Sequence, residues 1–279
     1  VRKAITLRMF PPEMNALSRV ELARDAGYEG VEINLEPGQE YTLESSESEF
    51  ARLRSEIEAR GMCVSAVYDR EQWHHPMTSQ NRATRERCQA IIEGLARAAS
   101  TLGADVVLVA PGGVDNSILA PKPEIVPYEI AYRNAQAVLR ELACTVGERY
   151  RVHLAVENCP DKFLLSPLEF ARFLDEIESP WVGAYFDVGN VIRVGFPEDW
   201  IPILGQRIKR VHFKDFRFSL NSDVPLLAGD VNWPAVRKAL DIIQYDSWVT
   251  AEVLPPYRYH GERLIYETSA SIDAVLGLS

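Results

Sequence analysis

Along the chain, short apolar runs rich in β-branched and aromatic residues alternate with longer stretches whose apolar positions recur every three or four residues. These two periods separate buried strands from amphipathic helices. Residues 3–9 read as a strand, and residues 14–26 carry Leu17, Val20, Leu22 and Ala23 on a helical spacing that Gly27 stops. Residues 30–35 (G-V-E-I-N-L) form the second strand, and the acidic, serine-rich E-S-S-E-S-E leads into a helix over 50–60 closed by Gly61. A third strand spans 63–68, a helix 81–102, a fourth strand 105–110 (D-V-V-L-V-A) and a helix 128–149. Four more strands lie in V-H-L-A-V-E-N (152–158), V-G-A-Y-F-D-V-G-N (182–190), I-K-R-V-H-F-K-D (208–215) and W-V-T-A-E-V (248–253). Helices over 167–177, 200–206, 233–243 and 261–276 follow or separate them.

Eight alternations of β and α without a break in composition predict one parallel, closed sheet with helices outside. No G-x-G-x-x-G follows the first strand, as a doubly wound dinucleotide fold would have it. The expectation is a single (β/α)8 TIM barrel occupying 1–279, close to the ~250 residues usual for that fold. Two loops exceed the usual βα length: D-R-E-Q-W-H-H-P-M-T-S after the third strand, and the proline-rich stretch ending A-P-K-P-E-I-V-P after the fourth. Both follow strands, so they share a face, and long loops are more often functional than decorative.

The last four strands each carry one acid or imidazole near their C-terminal ends: Glu157, Asp187, His212 and Glu252. A carboxylate in such a run costs several kcal/mol unless it is paired or bound to a cation. Taken singly, each acid has a plain alternative in a Lys or Arg partner, and His212 in a hydrogen-bonded core histidine. Taken together they are separated by 30, 25 and 40 residues, about one βα unit each, and belong to adjacent strands five to eight. Inward side chains on neighbouring strands ~4.8 Å apart converge on one half of the barrel mouth, where a divalent metal explains all four. Three carboxylates and one imidazole favour Mn2+, with Co2+, Mg2+, Fe2+ or Zn2+ as alternatives, over thiolate-preferring metals.

Composition narrows the function. The chain has 47% hydrophobic and 25% charged residues, enough for a large core, and a net charge of -10 that opposes attraction to nucleic-acid phosphates. No run of 18 uncharged apolar residues occurs, and V-R-K-A-I-T-L begins a strand pattern instead of a signal peptide. A soluble cytoplasmic protein with no nucleic-acid or membrane partner is expected, with a homo-oligomer left open. Cys63, Cys88, Cys144 and Cys159 are widely spaced without a C-x-x-C pair, which suits free thiols.

The pieces A-V-E-N, F-D-V-G-N, V-H-F-K-D, A-G-D-V-N-W and W-V-T-A-E-V resemble the sugar isomerase and epimerase branch of the xylose isomerase-like TIM-barrel superfamily, over nearly the whole chain. They are closest in flavour to L-xylulose-5-phosphate 3-epimerases and hexulose-phosphate isomerases, then to D-tagatose 3-epimerases. The resemblance implies one metal held by Glu157, Asp187, His212 and Glu252, with Glu157 and Glu252 also serving as acid and base. Epimerases of free ketoses usually place a histidine three residues after the Asp. Asn190 stands there and looks more like the phosphate-sugar branch, whereas the arginine expected after the metal histidine is matched only by Arg217, in an offset position.

Proton abstraction beside a carbonyl gives an enediolate, which a divalent cation stabilises. Two glutamates three strands apart flank a sugar from opposite sides, so removal of a C3 proton by one and its return by the other inverts C3. Around them Asn158, Lys162, Asn190, Lys214 and Arg217 are candidates for binding hydroxyls or a phosphate, and Trp73, His74 and His75 for a wall over the sugar. At most one of the two adjacent histidines enters the site, because neighbours on extended chain point apart. Glu32, near the end of strand two, either helps or pairs with a neighbouring cation. A metal-dependent lyase acting on a dehydroshikimate-like or oxidised glycoside substrate uses the same enolate chemistry. The barrel is also similar to that of endonuclease IV, but a three-metal site needs more than this chain's five histidines. A sugar-binding protein without activity has no use for paired carboxylates around a metal.

Overall fold

Each apolar run of the sequence is followed by a helix that returns the chain to the opposite end of the sheet, so successive strands pair in parallel. The structure, a computed structural model, describes residues 1–116, 124–159 and 161–278. Seven barrel strands come first: β1 (Arg2–Thr6), β2 (Gly30–Asn34), β3 (Cys63–Tyr68), β4 (Val106–Val109), β5 (His153–Glu157), β6 (Val182–Asp187) and β7 (Ile208–Phe213). A two-stranded hairpin, β8 (Asp215–Arg217) and β9 (Ser222–Val224), precedes the last barrel strand, β10 (Trp248–Ala251). Strands β1 to β7 pair in sequence order, and β10 joins β7 back to β1, closing the barrel. The register aligns Asp187 with His212 and His212 with Thr250, which sets the candidate ligands at one height.

Side chains alternate between two cores. Ala66, Tyr68, Val106, Leu108, Ala155 and Tyr185 form a separate buried cluster at alternate strand positions, filling the barrel interior. The residues between them face the helices and join the larger cluster, with Phe50, Ile91, Leu95, Leu139, Phe170, Phe173 and Ile265 from the helical shell. At the N-terminal end, Arg210 plugs the interior through Ser65 O, Ser247 Oγ and Asp105.

Several boundaries differ from expectation for local reasons. Strand β1 ends at Thr6, and Leu7–Met9 turn as a 3-10 helix ahead of Pro11 and Pro12. The second helix starts at Glu47, because Ser46 caps it and Glu49 completes a capping box, so part of the acidic stretch is helix instead of linker. The helix expected over 128–149 runs as Tyr128–Leu142, passes through a π-helical turn at Ala143–Gly147 and ends at Tyr150. The helix expected from 200 begins with Pro197 at its first turn. Two short helices, Glu71–His74 and Val188–Val191, and the hairpin were not expected at all.

Asp215 builds that hairpin's base. It is fully buried and accepts from the backbone N–H groups of Phe216, Gly229 and Val231 and from Trp233 Nε1, which folds A-G-D-V-N-W over the barrel rim. Gly229 is required there, since a Cβ would stand 1.9 Å from Asp215 Oδ1. Much of the proline-rich stretch after β4, residues 117–123, lies outside the described residues. All four cysteines are free, and among the described residues no helix is long and apolar enough to cross a membrane.

Candidate metal centre

The four candidates meet at the C-terminal mouth. Glu157 and Asp187 end β5 and β6, His212 is the fifth residue of β7, and Glu252 follows β10 with its N–H still paired to Phe213 O at 3.1 Å. One ligand atom from each lies within 4.8 Å of the others, and all four side chains are buried. His212 Nδ1 faces Glu157 Oε1 at 3.6 Å, Asp187 Oδ2 at 3.8 Å and Glu252 Oε2 at 3.5 Å. Such separations are too long for good hydrogen bonds, but donors bound to one cation at about 2.1 Å stand roughly 3–4 Å apart.

The hydrogen-bond pattern points the same way. His212 Nδ1 is buried without a hydrogen-bond partner, while Asp187 Oδ2 and Glu252 Oε2, equally buried, are met by the Lys214 ammonium. On the far side of the ring, His212 Nε2 lies 3.1 Å from Glu32 Oε2, which also accepts from Tyr185 OH at 2.6 Å. Glu32 thus favours the tautomer whose Nδ1 lone pair is turned to the carboxylates, the usual arrangement behind a metal-bound histidine. The charge balance agrees: four carboxylates (Glu32, Glu157, Asp187, Glu252) face Lys214 and Arg8, leaving two negative charges for one divalent ion. The residues present fit a divalent metal with Glu157, Asp187, His212 and Glu252 as its holders.

The cluster also draws charge from its neighbours. Lys214 Nζ stands 2.6 Å from Glu252 Oε2 and 3.1 Å from Asp187 Oδ2. Burial raises Asp187 to about 6, with Lys214 opposing and Glu157 and Glu252 reinforcing the rise. Burial also works against the ionised Glu252, but Lys214, His212 and Arg8 overcome it and hold that carboxyl at about 2. Burial disfavours the His212 and Lys214 cations too, yet the surrounding carboxylates push both groups well above their ordinary values.

The two glutamates divide their oxygens. Glu157 Oε1 and Glu252 Oε2 face the imidazole, while Glu157 Oε2 accepts from the Cys159 thiol at 3.2 Å and Glu252 Oε1 pairs with Arg8 Nη1 at 3.5 Å. Cys159 and Arg8 both line a cavity of about 350 Å³ above the cluster, together with Glu157, Glu252, Tyr68, Trp73, Asn190 and Lys214. Trp73 Nε1 donates to Tyr68 OH at 3.1 Å, fixing an aromatic wall.

The structure therefore brings Trp73, Asn190 and Lys214 to the cavity and leaves the other expected contacts off its lining. Asn158 spends its amide on the Asp187 backbone, accepting from its N–H at 2.8 Å and donating to its O at 2.9 Å. It thereby ties the end of β5 to the end of β6. Asn190 donates its backbone N–H to Asp187 Oδ1 at 2.8 Å and its side chain to Asn158 O at 3.1 Å. Lys162 is exposed and pairs with Asp115 at 2.8 Å; Arg217 is exposed on β8. His74 pairs with Glu71 at 3.1 Å, and His75 lies behind it with its imidazole lowered chiefly by burial. A helical turn at Glu71–His74 replaces the extended loop assumed for these histidines.

Sequence reasoning missed Arg8, Tyr68, Arg70, Asp115, Asn116, Cys159, Asp161, Asp223 and Leu254 in the lining. For Tyr68 a signal existed, since it continues the inward two-residue period of β3 from Ala66. Arg8 and Arg70 lie beyond the ends of their strands, in a 3-10 turn and at the cap of a short helix. Asp223 arrives on the hairpin, for which the strand pattern held no cue.

Residues 20–274 match the family described as Xylose isomerase-like TIM barrel. A putative L-ribulose-5-phosphate 3-epimerase from Escherichia coli (strain K12) is 24% identical over 81% of this chain and 79% of its own length. Among solved structures, a D-psicose 3-epimerase studied in the presence of D-fructose superposes with a TM-score of 0.82 at 15% identity, covering 99% of this chain and 100% of that one. The IOLI protein with a bound zinc atom superposes at 0.83 and 17% identity, covering 100% and 99%. The family match spans the barrel from its first helix to its last, and the chain belongs to the xylose isomerase-like TIM barrel family.

Proposed function

We propose that the protein is a divalent-metal-dependent, Mn2+-using 3-epimerase of a ketose or ketose phosphate, with Glu157 and Glu252 exchanging the C3 proton. The names of its relatives and structural neighbours support a small carbohydrate substrate. The observation that carries the reading is the division of oxygens in the two glutamates. Each turns one oxygen to the ligand cluster and leaves the other beside a cavity-lining group, Cys159 or Arg8. A divalent ion held by the cluster would supply counter-charge for the oxyanion that develops on the carbonyl oxygen when the neighbouring carbon loses its proton.

The chain's own residues do the rest. Glu157 and Glu252 stand three strands apart in the order β5-β6-β7-β10, so a sugar lying over the cluster presents one face to each. Lys214, and more weakly Arg8, keep Glu252 ionised against its burial, the state from which a carboxylate accepts a proton. The Cys159 thiol holds Glu157 Oε2 toward the cavity. One carboxylate takes hydrogen from C3, the other delivers one to the opposite face, and configuration inverts. Asn190 and Lys214 offer donors to hydroxyls, while Tyr68 and Trp73 cover the apolar C–H face.

Solvent deuterium incorporation at C3 of ketoses and ketose phosphates tests this reading, with product mass confirming that no group is expelled. Glu157→Gln and Glu252→Gln, each checked for bound metal, are expected to lose about 10²- to 10⁴-fold in turnover. Near wild-type exchange in both metal-loaded variants overturns the two-glutamate assignment. A lighter, unsaturated product reassigns the site to a lyase.

A further inference from the structure

A second cavity of about 550 Å³ opens beside the first, and Arg8 lines both. Its floor is the end of β2 and the turns that follow β1 and β2, with Phe10, Met14, Asn34, Arg19 and Tyr41 in its wall. Arg19 and Asn34 are only 9% and 7% exposed, and Arg19 Nε and Asn34 Nδ2 have no hydrogen-bond partner. Both donors lie under the wall that these two side chains line, which marks that wall as polar. Asn34 Oδ1 accepts from Thr6 Oγ1 at 3.3 Å, and Arg19 Nη1 and Nη2 each donate to a backbone carbonyl, Leu7 O and Pro12 O, so both side chains are held in place.

The ligand class follows from the rest of the wall. Glu13, Glu36 and Glu40 outnumber Arg8 and Arg19, which repels a phosphate. Planar amide and guanidinium donors beside Phe10, Met14 and Tyr41 suit a neutral polyol that has hydroxyls on its edge and C–H groups on its faces. We propose that this cavity is a subsite for a second sugar ring, so that the substrate is a glycosyl-substituted ketose whose linkage passes over Arg8. The inference rests on the epimerase reading for the ring in the first cavity. In the reaction the C3–H bond breaks and re-forms on the opposite face, and the glycosidic bond stays intact.

The test uses the Mn2+-loaded protein and two sugars that differ by one ring, fructose and isomaltulose (6-O-glucosyl-fructose). Calorimetry is expected to find isomaltulose bound at least about tenfold tighter. Met14→Trp, which fills the second cavity, and Asn34→Leu, which removes one donor, are each expected to erase most of that advantage while leaving fructose affinity unchanged. Equal affinity for the two sugars, no binding of isomaltulose, or an advantage that survives both variants overturns the proposal. Deuterium exchange at C3 in the same samples separates the two ideas. Binding of isomaltulose without exchange of either sugar removes the epimerase reading for a fructose ring and leaves the subsite, whereas exchange of both without an isomaltulose advantage removes the subsite and leaves the epimerase.

Discussion

Replacing Glu32 by Gln separates a ligand-orienting role from a merely structural one. Glu32 is 1% exposed, and its Oε2 receives both His212 Nε2, at 3.1 Å, and Tyr185 OH, at 2.6 Å. The glutamine oxygen can accept from both partners, so shape and packing are nearly kept. What changes is one of four negative charges around the metal position and the charge-assisted hold on the imidazole tautomer. Loss of such an outer partner typically costs about 10- to 100-fold in metal affinity, roughly 1.4–2.8 kcal/mol. The new amide NH2 adds buried donors without acceptors, about 1–3 kcal/mol of stability. Mn2+ titration against a competing chelator measures the first effect, and thermal unfolding of the chelated proteins measures the second. Glu32→Gln protein that binds Mn2+ as tightly as wild type refutes the orienting role, whatever its melting temperature.

Other outcomes follow from the same geometry. Chelation is expected to abolish activity and lower the melting temperature, and re-addition of one Mn2+ per chain to restore both, as metal analysis and thermal scans will show. Asp187 sits at about 6 in the metal-free protein, so a proton displaces the metal there, and the thermal gain from Mn2+ should shrink as pH falls through that value. In the chelated protein the raised Asp187 favours folding at lower pH, a contribution lost as pH rises through about 6. Glu252, depressed to about 2, contributes in the opposite sense, with stability present above its ordinary value and lost on strong acidification. Thermal scans across pH with and without chelator resolve the two. Asp215→Ala strands three buried donors, the Phe216 and Val231 N–H groups and the Trp233 indole, and the part-buried Gly229 N–H. It should therefore cost at least about 3 kcal/mol in urea unfolding, at about 1 kcal/mol or more for each buried donor left unmet. Abasic duplex DNA should be neither bound nor cut at physiological salt, given a net charge of -10; cleavage lost in His212→Ala would contradict this.

The barrel and the cluster of four candidate ligands were legible in the chain because both depend on short-range periodicity. Eight apolar runs separated by helical spacing admit little besides a closed parallel sheet, and an acid or imidazole at the end of a buried run stands out against its neighbours. Alternation by two placed Glu157, Asp187, His212 and Glu252 on the same side of their strands, and barrel closure carried them to one mouth. Tertiary structure alone decided which nearby polar residues face the cavity. Asn158, Cys159 and Lys162 all follow Glu157 within five residues, yet Asn158 turns to a neighbouring strand's backbone and Lys162 to Asp115, while the thiol meets the glutamate. Loops lack a period that could announce such choices. The role of Glu32 was equally hidden, because its partner lies 180 residues away and only closure of the barrel brings His212 Nε2 within 3.1 Å of it.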